Sequence, residues 1–290
     1  MDVSVIVPTL NRCGKLTGLL QSLERLCVPD GLQWEVVIVD NGSTYETAPI
    51  CEDFVRRHPG RSLCLRETGK GKSRALNRGI REANGDIIAF TDDDCRVDEC
   101  WLQELVQAYR LDPDLALAGG RVELLDRSDL PLTLQEAATR VLVDSAGLLY
   151  PDPPIIGCNM AVRKDVLKSL GSFDENLGPG TRATSAEDLD LVYRAFRAGH
   201  KVMSFPSFVV YHGHGRKSDE ERSFLLHQYH VGRGAFYAKH FRSDPEVRRM
   251  AVRDVLAMSK RVLIGRGRRG AARFLGALFK GAMTRAKAKG

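Results

Sequence analysis

Short apolar runs alternate with helical periodicity over the first 120 residues. Val3 to Val7 and Glu35 to Val39 are runs of strand length. Between them, Leu16, Leu19, Leu20 and Leu23 recur at the spacing of one helix face, within a predicted helix from Lys15 to Leu26. A third strand at Ser62 to Leu65 precedes a helix from Lys72 to Ala83. A fourth, Asp86 to Thr91, follows the turn pair Asn84-Gly85 and leads to a helix from Glu99 to Tyr109. This alternation predicts an α/β fold, a mostly parallel sheet with helices on both faces.

Residues 116–215 break that rhythm. The pattern predicts a strand near Leu115 to Val122, a helical stretch at Leu134 to Leu149, and a strand at Ile155 to Val162. A loop rich in Gly and Pro, 177–181, runs into Ser185-Ala186-Glu187-Asp188, where Ser followed by acidic residues is a helix start. That helix is predicted to reach Ala198, with Gly199 as its cap. After a strand at Phe208 to Tyr211 the chain is helical. The division is a catalytic domain over 1–215, made of a nucleotide-binding half (1–120) and an acceptor-binding half (121–215), followed by a helical extension over 216–290.

At 290 residues the chain can bury one large core, and its 43% hydrophobic and 28% charged content are ordinary for a globular protein. It contains no apolar run long enough to span a membrane. Asp2 stands where a secretory signal would carry positive charge, so a cytoplasmic location is expected, with peripheral attachment to the inner face of the membrane as the variant of it. Seven cysteines without a Cys-x-x-Cys pair read as reduced thiols. The net charge of +6 conceals an asymmetry: residues 255–290 carry ten Lys or Arg and no acid, leaving 33 basic against 37 acidic groups in residues 1–254.

Candidate chemistry begins with Asp92, Asp93 and Asp94, three carboxylates at the carboxyl end of a predicted strand. In open α/β sheets that edge binds ligands. Like charges crowded into one volume call for a cation, and oxygen ligands suit Mg²⁺ or Mn²⁺. The plain alternative is a solvated acidic loop capping the next helix. Asp40 ends the second strand on the same edge, where with Pro8-Thr9 it would line a three-loop pocket; a turn-forming Asp is its plain alternative.

Lys70-Gly71-Lys72-Ser73 follows a strand and opens a helix, yet Arg66 stands where a phosphate-binding P-loop needs Gly, and Arg74 where a dinucleotide fingerprint does. What remains is a basic helix start suited to a diphosphate or a sugar hydroxyl, or else a solvated turn. Glu187-Asp188 fits a helix cap as well as a catalytic pair. His212 and His214 have the spacing of strand-end metal ligands, although surface histidines usually have no such role.

Taken in order, these pieces resemble the family 2 glycosyltransferases of the GT-A fold over residues 2–215. The set is Val5-Ile6-Val7-Pro8-Thr9-Leu10-Asn11-Arg12, Val37-Ile38-Val39-Asp40-Asn41-Gly42-Ser43, Asn77-Arg78-Gly79-Ile80, Thr91-Asp92-Asp93-Asp94, Gly157-Cys158-Asn159-Met160-Ala161, Gly171-Ser172-Phe173-Asp174-Glu175, Glu187-Asp188-Leu189-Asp190 and His212. The resemblance implies that Thr9 and Asp40 meet the base or ribose of a nucleotide-sugar and Asp92 the ribose or metal. Pro8, Asn11, Lys72, Asn77, Asp93 and Asn159 join the donor site, with Asn159 and Asp174 near the donor sugar or acceptor. Asp94 and His212 would hold Mn²⁺ or Mg²⁺. Asp188 would be the general base and Glu187 its neighbour shaping the acceptor site. The family often has Ala-Arg-Asn before that Gly, whereas here Ala75-Leu76-Asn77 stands with Arg74 displaced.

The resemblance implies an inverting transfer from a nucleoside-diphosphate sugar, a UDP-sugar first, to a saccharide or lipid-linked hydroxyl. A nucleotidyltransferase is the enzyme alternative, but it would carry a Gly-rich basic loop after the first strand. In the tail, Phe274, Leu275, Leu278, Phe279, Ala282 and Met283 recur at helical spacing among basic residues, which predicts contact of residues 260–290 with an anionic membrane; the alternative is packing on the domain. A non-catalytic protein binding membrane or nucleic acid through this tail is the third reading. Few aromatics there disfavour nucleic acid.

Overall fold

The computed structural model describes residues 2–44, 46–149, 153–263 and 268–287. Its frame is a single sheet of nine strands: β1 Val3–Thr9, β2 Trp34–Asp40, β3 Ser62–Arg66, β4 Ile87–Phe90, β5 Cys95–Val97, β6 Leu115–Leu124, β7 Val141–Leu142, β8 Met160–Arg163 and β9 Lys201–His212. The order across the sheet is β3-β2-β1-β4-β8-β6-β9-β5, with β7 paired to β9. The first four strands in that order are parallel, so β1, β2 and β4 end on one edge. At β8 the direction reverses: Phe90 lies opposite Met160 in an antiparallel pair. β6 then runs antiparallel to β8 and parallel to β9.

Alternating side chains of the strands enter two cores. Val5, Val7, Val36 and Ile38 pack with α1 (Cys13–Glu24), α2 (Thr47–Arg57) and α4 (Trp101–Leu111). Ile6, Val37, Val39, Ile88 and Phe90 pack with α3 (Lys72–Glu82), α5 (Lys164–Leu170) and α6 (Glu187–Arg197). Strands buried on both faces explain the near-continuous apolar runs in the sequence. Gly79 brings α3 close to the sheet, since a Cβ there would sit 2.6 Å from Ile6 Cγ2.

Four sequence expectations change. Residues 134–149 do not form a helix: Gln135 bridges Val122, Val141 and Leu142 pair with β9, and only 146–149 coil, as a 3-10 turn. The exposed rim of β9 offers backbone partners that a free helix would not have, for example Val143 N–H to Val202 O at 2.9 Å. The strand expected from Ile155 starts at Met160, after a 3-10 turn over Gly157–Asn159. Ser185 does not cap α6: Ala186 holds the N-cap position in a left-handed conformation (φ 76°) with no side-chain cap, while Ser185, one residue earlier, donates from Oγ to Gln228 O at 3.1 Å. Helices α2 and α5 lie where the hydrophobic pattern predicts no element.

The fourth change concerns the tail. Helices α7 (Asp219–His240) and α8 (Pro245–Leu263) pack back on the preceding domain, and α9 (Arg268–Lys287) packs on α7 and α8. Phe274 and Leu278, expected at a membrane, are buried in the core shared with α7 and α8. Glycines let the backbones approach: a Cβ on Gly234 would lie 2.0 Å from Leu278 O, and one on Gly281 would lie 1.8 Å from Val231 O. Phe279 and Met283 remain exposed. No helix among the described residues is long and apolar enough to cross a membrane.

Candidate active site

The parallel strands deliver three loops to one edge, and hydrogen bonds lock the loops together. Asn11, held at φ 54°, accepts from Thr44 N–H at 2.9 Å, and its own N–H donates to Ser43 Oγ at 2.8 Å. Asp40, buried at the end of β2, accepts from Ser43 N–H at 2.8 Å. Asn41 donates to Glu67 O and Gly69 O and accepts from Gly71 N–H, so it sets the loop that starts α3. Pro8 is buried in β1, and Thr9 Oγ1 donates to Asp93 at 2.8 Å.

The acidic triplet splits three ways. Asp92 pairs with Lys72, whose Nζ lies 2.7 Å from one carboxylate oxygen and 3.8 Å from Glu187. Asp93 faces Thr9 and Arg12; burial and the neighbouring Asp94 push its carboxyl up, against the pull of Arg12. Asp94 accepts from Arg12 at 2.7 Å and lies 3.4 Å from His212 Nε2. Although burial opposes it, His212, Arg12 and Lys15 together hold Asp94 well below the usual carboxylate range. Burial pulls His212 down, but Asp94 outweighs it and raises the imidazole to about 8. Lys72 is likewise held above its ordinary value by Asp92 and Glu187 in spite of burial.

Whether a divalent ion fits here is decided by unspent donors. Asp94 Oδ1 and His212 Nδ1 are both buried without a hydrogen-bond partner. One ligand atom each from Asp94, Cys95 and His212 lies within 4.8 Å of the others. Burial holds the Cys95 thiol well above its ordinary value, and the carboxylate oxygen of Asp94 with the imidazole of His212 is a pair compatible with Mn²⁺ or Mg²⁺. The fit therefore holds for Asp94 and His212. His214 does not join them: Arg216 N–H donates to its Nδ1, and Nε2 faces Leu130 O at 3.1 Å.

Glu187 and Asp188 open α6 across the cleft. Asp188 accepts from Gly157 N–H at 2.9 Å, and a Cβ at that glycine would lie 3.0 Å from the carboxylate, so Asp188 would have to shift to admit one. Asp188 remains partly exposed, whereas Glu187 is buried against Lys72 and Gly178. Burial raises Glu187, the charge of Asp188 raises it further, and Lys72 moderates the rise, to about 7. The first turn of α6 is anchored from behind. Gln228 O of α7 accepts from Thr184 Oγ1 and Ser185 Oγ, while Asp190 accepts from Arg194, Lys239 and His240, each at 2.8 Å.

Two expected ligand-binding asparagines are committed to the fold. Asn159 is fully buried, accepts from Trp101 Nε1, and donates to Arg121 O and Phe208 O. Asn77 donates to Phe173 O and accepts from Phe173 N–H, pinning the 171–177 loop. Asp174 pairs with Lys239 at 2.8 Å. The residues passed over are Arg12 and Asn41. Both stand inside motifs already singled out, and the basic residue after the first strand, opposite an acidic triplet, was the available signal.

A mixed sheet whose parallel edge gathers acidic and basic loops, with a carboxylate pair on a crossing helix, defines a GT-A glycosyltransferase architecture. The chain belongs to glycosyl transferase family 2, whose model matches residues 4–171. It is 28% identical over 223 residues to a pre-mycofactocin glycosyltransferase of Mycobacterium tuberculosis, covering 73% of this chain and 43% of that protein. It is 26% identical over 273 residues to glycosyltransferase AglE of Haloferax volcanii, covering 91% and 80%. Among solved structures, a Pyrobaculum calidifontis mannosyltransferase in complex with GDP-Man and Mn²⁺ superposes with a TM-score of 0.68 at 20% identity, covering 100% of this chain and 88% of that one. S. aureus TarS with UDP-GlcNAc gives 0.60 at 19%, covering 100% and 92%.

Proposed function

We propose that the protein transfers a sugar, with inversion, from a nucleoside-diphosphate sugar to an acceptor hydroxyl, using Asp188 as general base. The observation that carries this reading is the Gly157–Asp188 hydrogen bond. It fixes a partly exposed carboxylate to the sheet edge that also carries Asp40 and the Asp92–Asp94 triplet.

In this reading the acceptor oxygen attacks the anomeric carbon from the face opposite the diphosphate. The bond from that carbon to the phosphate oxygen breaks, and the acceptor proton passes to Asp188. One displacement gives one inversion. Arg12 and Lys72 offer positive charge to the departing diphosphate, and buried Glu187 shares the field of Lys72. Mn²⁺ or Mg²⁺ held by Asp94 and His212 would supply Lewis-acid stabilisation of the leaving group. Asp40 and Thr9 line the nucleoside side. Solved relatives of the same fold hold different bases, UDP-GlcNAc and GDP-Man, so the fold leaves the base open; UDP-sugars are the first to test. The acceptor in this reading is a saccharide or a lipid-linked saccharide.

The test is turnover of UDP-, GDP- and dTDP-sugars with Mn²⁺ or Mg²⁺, with the anomeric configuration of the product read by NMR. Asp94→Ala is expected to abolish metal-dependent release of the nucleoside diphosphate. Asp188→Asn is expected to lower transfer by about 10²–10⁴-fold while donor binding persists. Retention of configuration, or full transfer by Asp188→Asn, would refute the mechanism.

A further inference from the structure

Helix α8 has two apolar faces, and only one is covered. Val247, Met250 and Ala251 are buried against the body of the protein. On the opposite side, Val252, Leu256 and Leu263 are 49%, 64% and 84% exposed. At 3.6 residues per turn these three fall within about 40° of one another, on one side of the helix, with the polar Ser259 between Leu256 and Leu263. Arg249, Arg253 and Lys260 are exposed along its border, and Val255 widens it. Past the first turn the helix has one acidic residue, Asp254, which is turned inward to Arg233 and Tyr237 and lies 3.8 Å from the guanidinium of Arg253. The outward face is therefore mainly apolar along its centre, broken by Ser259, and its exposed charged residues are basic.

We propose that this face of α8 is a docking surface for an anionic membrane. An interfacial helix buries an apolar stripe at the boundary of headgroups and acyl chains while flanking basic side chains meet anionic headgroups, and α8 offers that arrangement. A second copy of the chain suits it less well. A two-fold contact would bring Arg249, Arg253 and Lys260 of both copies together with no acid between them. The surface is distinct from the stripe on α9, where Phe274 and Leu278 already pack on α7. It does not depend on the transfer chemistry, because α8 contributes no side chain to the cleft described above.

The test is co-sedimentation of the full chain with vesicles of phosphatidylcholine alone and of phosphatidylcholine mixed in equal parts with phosphatidylglycerol. Binding is expected to be at least ~10-fold tighter to the mixed vesicles and to weaken with salt. Leu256→Glu should remove it, and Arg249→Gln with Arg253→Gln and Lys260→Gln should remove the preference for anionic lipid. All of these side chains are exposed, so an unchanged melting temperature checks the fold. Vesicle binding unaltered in both variants would overturn the proposal. So would a wild-type dimer that Leu256→Glu dissociates without any vesicle binding, or binding to an oligonucleotide in place of lipid.

Discussion

The two sides of α6 present the same functional group, a carboxylate, in opposite electrostatic states. On the cleft side, Glu187 shares one lysine with Asp92 and stands beside Asp188; burial and that repulsion lift it to about 7. On the α7 side, Asp190 is fully buried too, but His240, Lys239 and Arg194 overcome its burial and hold it at about 2. Both occupy the first turn of one helix, so the helix dipole does not distinguish them. The difference is the completeness of neutralisation. A carboxylate matched by several cations is an anchor, and one left partly unmatched beside a cleft is chemically poised.

Asp190→Asn should give the largest effect, because it leaves Arg194, Lys239 and His240 facing an uncharged group. The expected loss is about 3–5 kcal/mol in urea unfolding, together with a fall in kcat at unchanged nucleotide affinity. Its pH dependence has a defined sign. Asp190 has a folded value below its ordinary 3.8, so its contribution is complete above that value and fades as the pH falls toward 2. The variant should lack that acid limb.

On the cleft side, Lys72→Met leaves Asp92 and Glu187 without their shared cation. We expect a loss of about 2–3 kcal/mol and weaker nucleoside-diphosphate binding by calorimetry. Glu187 itself works with the opposite sign. Its folded value of about 7 exceeds the ordinary 4.5, so the native state binds a proton that the unfolded chain releases, and stability falls as pH rises through that window. Glu187→Gln should flatten this slope, gaining roughly 1–3 kcal/mol on wild type between pH 5 and 8 in thermal melts. Equal slopes would erase the distinction between the two sides. The smallest effect is expected for Asn41→Ala, about 1 kcal/mol, seen as a several-fold weaker affinity for the nucleotide with little change in kcat.

The gathering of loops at one sheet edge was legible because consecutive βα loops of a parallel sheet reach the same edge without further information. Asp40 and Asp94 could be assigned to that edge from strand order alone. Side-chain commitment was not legible. Asn159 and Asn77 bond to residues 58 and 96 positions away, and an asparagine in a motif reads the same whether it meets a ligand or pins a loop. Residues 134–149 misled because apolar spacing does not reveal that a strand edge is available to pair with. In the tail, periodicity identified amphipathic helices, while the covered face was decided by close approaches at Gly234 and Gly281.

The reversal of strand direction at β8 has a mechanical consequence. Because Phe90 and Met160 face each other antiparallel, the end of β4 and the lead-in to β8 meet at one rim. The acidic triplet and the amide that grips Asp188 are thus carried by adjoining ribs of the same plate rather than by two domains free to drift. Neighbouring strands keep a spacing of about 4.8 Å. Bringing the acidic triplet and Asp188 into register then requires no hinge at that rim.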